Sequence, residues 1–390
     1  MAKTVAAATL GCKVNFVETE GVLELFRKAG YEVVDFTEPA DVYVINTCAV
    51  TNESSKKSRR MIAKAKKHSP NAIIAVIGCY SELEPGKINA DVVIGTSDRT
   101  KVVGLVEKLV NNVTRTKCGE AAVPGATNFE KPQAEQTIEF EELPIERMTG
   151  RTRAFVKIQD GCESYCAYCI IPYARGRFRS RPLKAVVEEV VRLAAFGCKE
   201  VVLTGINLTA YEDGNRKLLD VVEAVCAVDA IQRVRLGSLD PAFVTEEFAR
   251  GLQRAGTLGY PVELATPVKQ SKVCPHFHLP LQSGSSSVLK RMNRNYDTKQ
   301  FEMAAGVLRA AFPGANITTD VIAGFPGETE AEFEECYAFI ETIAFGGLHV
   351  FPYSKREGTA AAKMLGQVPL MVKKERAKRL IELGDRLAGA

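Results

Sequence analysis

Nowhere does the sequence hold the run of about eighteen apolar residues that a membrane-spanning helix needs, so a helical span is excluded. The start, MAKTVAAATLGCKVN, lacks the layout of a signal peptide: its apolar stretch is short and ends in a Gly-Cys turn, and it reads as a buried strand. A reducing cytoplasm is therefore the expected location, with no membrane partner. Tryptophan is absent, and no internal repeat or low-complexity segment stands out. Neither sign of charge is in large excess: 51 Lys and Arg against 47 Asp and Glu leave +4, too little by itself to establish a nucleic-acid partner. Cysteine, by contrast, is plentiful, with eleven in 390 residues. A disulfide framework belongs to small secreted chains, and an odd count leaves at least one thiol unpaired. In a reducing compartment such cysteines point first to metal or redox chemistry. With 46% hydrophobic and 25% charged residues the composition is that of a globular protein too long for one core, so two or more domains are expected.

Charge is unevenly spread. Residues 56–67, KKSRRMIAKAKK, carry seven bases and no acid; residues 151–184 carry eight bases against two acids; residues 130–146 carry six acids against one base. Basic clusters attract a polyanion, although a solvated helix face explains any one run equally well.

The first hundred residues alternate short apolar runs with helical patterns, a βαβ rhythm that predicts a parallel sheet with helices on its faces. The strands are TVAAATL, DVYVINTC, AIIAVIGC and DVVIGT, and a helix with Val22, Leu23, Leu25 and Phe26 on its apolar face closes at Ala29-Gly30. Cys12, Cys48 and Cys79 each follow the carboxyl end of a strand, the edge where open α/β sheets bind ligands. One small buried cysteine near a sheet end is unremarked in any protein, but three at the same topological place favour a ligand set. Residues 116–147, with Pro124, Gly125, Pro132 and Pro144, read as a linker, with one strand around Thr137–Phe140. A second αβ series follows. Its strands are predicted at Ala154–Ile158, Glu200–Thr204, Arg233–Gly237, His276–Leu279, Ile317–Ala323 and Gly346–Phe351. Helices are predicted near 183–196, 216–227, 243–256, 285–291, 298–311 and 330–343, and a basic helix near 372–387 closes the chain. Six strand-helix units are too few for a closed eight-fold barrel and predict a curved, partial one.

At the end of the first strand of this series the sequence reads KIQDGCESYCAYCIIPYARGR. Cys162, Cys166 and Cys169 form CxxxCxxC, three thiolates in one loop that suit an iron-sulfur cluster or zinc. Structural zinc usually takes four ligands in paired CxxC spacing; three cysteines leave a cubane with one iron open, the mark of catalysis. The strand-end residues Gly205 and Asn207 in LTGINLTAY, Ser238 near Asp240, and Gln282 are candidates for contact with a bound cofactor, with a turn or capping role equally open for each. Gly324 and Gly327 suit a tight turn. His276 and His278 are read as facing opposite sides of their strand and as packing or hydrogen-bonding residues. Cys118, Cys198, Cys226, Cys274 and Cys336 are read as inert thiols.

CxxxCxxC with Tyr168 before its last cysteine, at the rim of a partial barrel, resembles the radical S-adenosylmethionine (SAM) superfamily. TLGCKVN, INTCAV, IGCY, PLQSGS, DVIAGFPGET and FPYSKREGTAA narrow the likeness to the methylthiotransferases, over nearly the whole chain from residue 4 to about 380. The resemblance implies an α/β architecture: an N-terminal parallel-sheet domain over residues 1–115 and a radical SAM partial (β/α)6 TIM barrel over 148–380. It also implies two 4Fe-4S clusters, an auxiliary one on Cys12, Cys48 and Cys79 and the radical SAM cluster on Cys162, Cys166 and Cys169. Tyr168, Gly205, Asn207, Ser238 and Gln282 then become the expected SAM contacts. The first cluster would carry the sulfide that one SAM methylates, and the second would cleave another SAM reductively to the radical that removes a substrate hydrogen.

The family modifies a hypermodified adenosine beside the anticodon of tRNA or an aspartate of a ribosomal protein. Cys12-Lys13-Val14-Asn15 followed by Glu18-Thr19-Glu20 looks like the branch acting at carbon 2 of N6-threonylcarbamoyladenosine. Isopentenyladenosine tRNA and the ribosomal-protein aspartate remain the alternatives within the family; a non-catalytic iron-sulfur electron carrier or a zinc RNA-binding protein is the alternative of another class. The basic helix after Cys48 and Arg175, Arg177, Arg179 and Arg181 fit a tRNA substrate by phosphate neutralisation. An electron donor such as flavodoxin or ferredoxin is expected, and the sulfur source is left open. Family members continue into an RNA-gripping β-barrel, the TRAM domain. The sequence stops at Ala390 before such a segment, so a chain without it is expected, by truncation or by nature.

Overall fold

A computed structural model describes residues 3–116, 139–146, 153–258 and 271–388. The chain divides into two units, Met1–Glu146 with Ile170–Gly176, and Arg147–Cys169 with Arg177–Ala390. Cys118 and most of the expected linker lie outside the described residues, as do the first two residues of the strand expected at Thr137–Phe140; Glu139 and Phe140 belong to no strand. No helix among the described residues is long and apolar enough to cross a membrane.

Unit 1 runs β1 (Thr4–Thr9), α1 (Lys13–Lys28), β2 (Glu32–Val34), β3 (Val42–Thr47), α2 (Asn52–His68), β4 (Ile73–Gly78), α3 (Cys79–Leu83), β5 (Val92–Val93) and α4 (Val102–Thr116). The strands form one sheet in the order β2-β1-β3-β4-β5, every pair parallel. Every residue of β3 is buried, as a central parallel strand covered on both faces must be. Alternate residues feed two cores. Val5, Val44 and Ile77 meet Phe26 of α1 and Val106 of α4, while Ala6, Tyr43, Ile45 and Val76 meet Ile62 and Ala65 of α2. Strand order reverses between β1 and β3, so the crevice at their carboxyl ends is the topological place for a ligand. β2 was not foreseen; three residues directly after the Gly30 turn are too few to show a period.

α5 (Ile171–Arg175) completes unit 1 and is held there by buried charge. Arg175 grips Glu18 of α1 with two nitrogens, at 2.8 and 3.1 Å, and donates to Asn15 Oδ1 at 2.7 Å. Arg99 reaches the same Glu18 at 2.6 Å and bonds Glu141 at 2.9 Å. Glu18 and Arg99 are fully buried and Arg175 nearly so. Two guanidiniums with two carboxylates leave the group neutral, which is what makes its burial tolerable.

Unit 2 begins with β6 (Ala154–Lys157) and β7 (Gln159–Asp160), then β8 (Arg179–Ser180), α6 (Leu183–Ala195), β9 (Glu200–Thr204), the hairpin β10 (Glu212–Asp213) and β11 (Arg216–Lys217), α7 (Leu218–Cys226), β12 (Arg233–Leu236) and α8 (Glu246–Gly256). It continues with β13 (His276–His278), α9 (Ser286–Arg291), α10 (Thr298–Ala311), β14 (Asn316–Ala323), α11 (Glu330–Ile343), β15 (Gly347–Pro352), α12 (Ala360–Lys363) and α13 (Leu370–Ala388). Two parallel three-stranded sheets, β6-β9-β12 and β13-β14-β15, meet through parallel bridges such as Ser238 to His278. The six strands thus succeed one another in chain order as the expected open barrel. Capping boxes start α10 (Asp297 with Gln300) and α11 (Thr329 with Glu332), and both helices match their predicted spans. On β14, Ile317, Thr319, Val321 and Ala323 are buried beneath the helices, whereas Asn316, Thr318, Asp320 and Ile322 face the concave side.

Removing one partner of a buried pair strands the other charge. Arg175→Ala is therefore expected to destabilise unit 1 by about 3–5 kcal/mol, read as a fall in the denaturant midpoint of the metal-free protein. A loss below about 1 kcal/mol would show that Glu18 is compensated by Arg99 alone.

Candidate functional site

Cys12 is the N-cap of α1, Cys48 directly follows β3, and Cys79 opens α3 directly after β4. The local chemistry draws these ends together. Asn15 Nδ2 donates to the carbonyls of Leu10 and Thr47, at 2.8 and 3.0 Å, tying the ends of β1 and β3. Thr47 Oγ1 donates to the Ile77 carbonyl at 2.7 Å, tying β3 to β4. Gly11, at φ +104°, lies so close to Cys48 that a Cβ there would stand 3.1 Å from its Sγ. Cys12 is exposed, while Cys48 and Cys79 are buried, Cys79 among Ala49, Tyr80, Ile170 and Ala174. Burial pushes the Cys79 thiol up to about 12; the Arg175 guanidinium opposes this, and neighbouring Cys12 and Cys48 add to it. A metal centre there would have to replace the proton, with Arg175 already supplying compensating positive charge.

The second set sits on the loop after β7. Gly161 and Tyr165 both take left-handed backbone, at φ 73° and 43°, and Cys169 N–H donates to the Cys166 carbonyl at 2.9 Å. The loop is clamped from the far side of the barrel: Ala167 N–H donates to the Met292 carbonyl at 2.8 Å, and Ala361 N–H donates to the Ala167 carbonyl at 2.7 Å. Ser164 N–H points at Cys162 Sγ, 3.4 Å away. Arg294 Nη1 donates to Cys166 Sγ at 3.1 Å, with its guanidinium 4.6 Å from the Tyr296 ring centroid. Asp160 gathers Lys157 at 2.7 Å, Arg179 at 3.0 Å and the Gly161 N–H at 2.8 Å. Gln159 Oε1 accepts from Asn207 N–H at 2.7 Å, so β7 is joined to the loop after β9. Gln159, Asp160 and Arg294 were not picked out from the sequence: none is part of CxxxCxxC, and Gln159 and Arg294 act on partners 48 and 128 residues away.

Among the described residues no three His, Cys, Asp or Glu side chains could hold a single metal ion. Zinc draws its thiolates onto one centre, about 2.3 Å from each sulfur. A cubane makes a different demand, since each thiolate binds its own iron. Each cysteine set offers three such thiols, the number that leaves one corner of a cubane open.

The expected SAM contacts lie along one rim, at the carboxyl ends of the strands. Tyr168 packs against Ala167, Val288, Met292, Phe325 and Tyr353. Asn207 caps a short turn and accepts from Thr209 at 2.6 Å; Ser238 is exposed beside His278. Gln282 is left-handed at φ 68° and bridges to β14. Gly205 has a packing reason of its own, because a Cβ would fall 2.9 Å from Gln159 Oε1.

Two expectations fail. Of the four arginines assigned to phosphate binding, Arg175 is buried on Glu18, Arg181 is buried on Glu189 at 2.7 Å, and Arg179 is held by Asp160. Arg177 alone is well exposed, and it bonds Glu163. The other expected element, the basic helix after Cys48, does present a cationic surface: on α2, Lys56, Lys57, Arg60, Lys64 and Lys67 are exposed. His276 and His278, two apart on one strand, share a face, with Phe277 buried on the other. Of the remaining described cysteines, Cys226, Cys274 and Cys336 are buried and Cys198 is partly so.

Residues 4–95 match the family described as Uncharacterized protein family UPF0004, and residues 156–340 match the Radical SAM superfamily. Over 394 residues the sequence is 43% identical to the threonylcarbamoyladenosine tRNA methylthiotransferase MtaB of Bacillus subtilis, covering 99% of this chain and 81% of the relative. It is 35% identical to the MtaB of Aquifex aeolicus, covering 98% and 88%. It is also 35% identical to the tRNA-2-methylthio-N(6)-dimethylallyladenosine synthase of Moorella thermoacetica, covering 99% and 83%. The radical SAM methyltransferase TsrM of Kitasatospora setae shares the fold at a TM-score of 0.58 and 14% identity, covering 90% of this chain and 73% of that one. Radical SAM membership brings a 4Fe-4S cluster and SAM as cofactors. With two three-cysteine sets on strand ends, an open barrel, and such identity over almost its whole length, the chain belongs to the radical SAM methylthiotransferase family.

Proposed function

We propose that the protein is a tRNA methylthiotransferase acting on carbon 2 of N6-threonylcarbamoyladenosine next to the anticodon, with one SAM as methyl donor and a second as radical source. Cys162, Cys166 and Cys169 would hold the cluster that binds SAM, and Cys12, Cys48 and Cys79 a second, auxiliary 4Fe-4S cluster. When bound, the first supplies the electron for SAM cleavage and the second the sulfur for transfer. The observation that carries this reading is the presence of two separate cysteine triads, one gathered at the ends of the parallel strands β1, β3 and β4 and the other on the single loop after β7. The relatives named for threonylcarbamoyladenosine support the choice of substrate.

The chain's own groups have definable tasks. Arg294 sets a fixed positive charge beside Cys166 Sγ and orients it by a direct hydrogen bond. The Gln159 and Asp160 bonds hold the loop entering Cys162 against the neighbouring strand end. Arg175, through Asn15, keeps the start of α1 against the end of β3. The exposed bases of α2 suit an RNA backbone, whose affinity falls with salt. A splayed anticodon-loop base suits a concave barrel face, since unpaired bases can be turned out and read by their edges. A small electron-transfer protein such as flavodoxin or ferredoxin would supply electrons.

Nucleosides of tRNA from a strain lacking the gene should lose 2-methylthio-N6-threonylcarbamoyladenosine and accumulate the unthiolated nucleoside; an unchanged profile by mass spectrometry would contradict the assignment. Cys166→Ala should abolish 5′-deoxyadenosine formation while the auxiliary cluster still assembles. Cys48→Ala should leave reductive SAM cleavage intact and stop the methylthiolated product, and normal product formation would remove Cys48 from the mechanism.

A further inference from the structure

The concave face of the barrel carries a polar row that neither cysteine set uses. His278 on β13 stands beside Thr318 on β14 in register, and Asp320 on β14 stands beside His349 on β15. His278 is gripped at both ring nitrogens: Nδ1 lies 3.0 Å from Thr318 Oγ1 and Nε2 lies 3.2 Å from Asp320 Oδ2. With Nε2–H directed at the carboxylate, Nδ1 can accept from the Thr318 hydroxyl, which fixes the ring and aims Asp320. The His349 ring lies 6.0 Å from that of His278. Two residues along β15, and so on the same face, Phe351 leaves 46% of its surface exposed. The row lies below the rim: Asp320 precedes the end of β14 by three residues, about 10 Å at the strand rise.

A polar group that serves only the fold is normally enclosed by partners. Here the Asp320 side chain keeps 32% of its surface and His278 keeps 16%, on the face where substrate would enter. A carboxylate with a spare lone pair, imidazole N–H donors and an aromatic ring together match a nucleobase bearing a polar side group. The ring offers a stacking surface, Asp320 accepts from N–H or O–H, and His349 can donate to a carbonyl or carboxylate.

We infer that Asp320, positioned by His278, and His349 form the wall that recognises the polar N6 substituent of the substrate adenine, with Asp320 accepting from its ureido N–H. This rests on the function proposed above and adds the basis of its selectivity. A carbamoyl-amino acid substituent satisfies these groups. An apolar prenyl chain would strip water from Asp320 and return no hydrogen bond, and a site built to hydrogen-bond its substrate rejects the analogue that lacks the partner.

The test uses the anaerobic holoenzyme and two anticodon stem-loop RNAs, one with N6-threonylcarbamoyladenosine and one with N6-dimethylallyladenosine. Wild type should methylthiolate the first with KM in its working range and the second poorly. Asp320→Asn and His349→Ala should each raise KM for the first RNA about ten- to hundredfold, with kcat changed only a few-fold. Iron content and RNA-free SAM cleavage should stay at the wild-type level. Unchanged KM in both variants with an active wild type would overturn the inference alone. Loss of RNA-free SAM cleavage in both variants would also overturn it, by assigning the row to the barrel or to SAM. A wild type that methylthiolates neither RNA would overturn the functional reading beneath it.

Discussion

Parallel strands in a sheet all point the same way, so the loops leaving their carboxyl ends are gathered on one edge whatever their separation in sequence. Both candidate sites follow from that constraint. In unit 1 the ends of β1, β3 and β4 bring Cys12, Cys48 and Cys79 together around the point where strand order reverses. In unit 2 the same polarity aligns the loop with Cys162, Cys166 and Cys169 with Asn207, Ser238 and Gln282 at the ends of later strands. Placing thiolates on turns between rigid strands and helices fixes their directions before any cofactor arrives.

Buried charge does the complementary work. Burial of Cys79 disfavours its thiolate, and the guanidinium of Arg175 is what opposes that cost. Glu18 and Arg99 keep Arg175 in place without leaving unbalanced charge in the interior. In unit 2, Arg294 donates to Cys166 Sγ at 3.1 Å, with Asp240 4.0 Å away as its carboxylate neighbour. Each set of thiols thus has one arginine close by, carried on a different element from the cysteines it serves.

Much of this was legible in the amino-acid order, for identifiable reasons. Strand spacing, the Gly30 stop and the helical periods at 298–311 and 330–343 are local signals, and they mark elements such as α10 and α11 closely. CxxxCxxC is local as well. The auxiliary set needed topology, and topology was readable because the strands alternate with helices. The role of Arg175 was not readable. A basic run looks alike whether it faces solvent or an acid 157 residues away in sequence, and only the fold shows that Glu18 is there. Arg294 and Gln159 escaped for the same reason. The histidines of β13 show a different failure: the period of two was available, and applied correctly it puts His276 and His278 on one face.

The central claim is that two independent cysteine triads each assemble a four-iron cluster. Anaerobic iron and sulfide analysis of three proteins addresses it: the wild type, a Cys12/Cys48/Cys79→Ala variant and a Cys162/Cys166/Cys169→Ala variant. The account predicts about eight irons per chain in the first and about four in each of the others, with matching sulfide. Zinc without sulfide in the wild type, or loss of all iron on removing either triad from a folded chain, would contradict it.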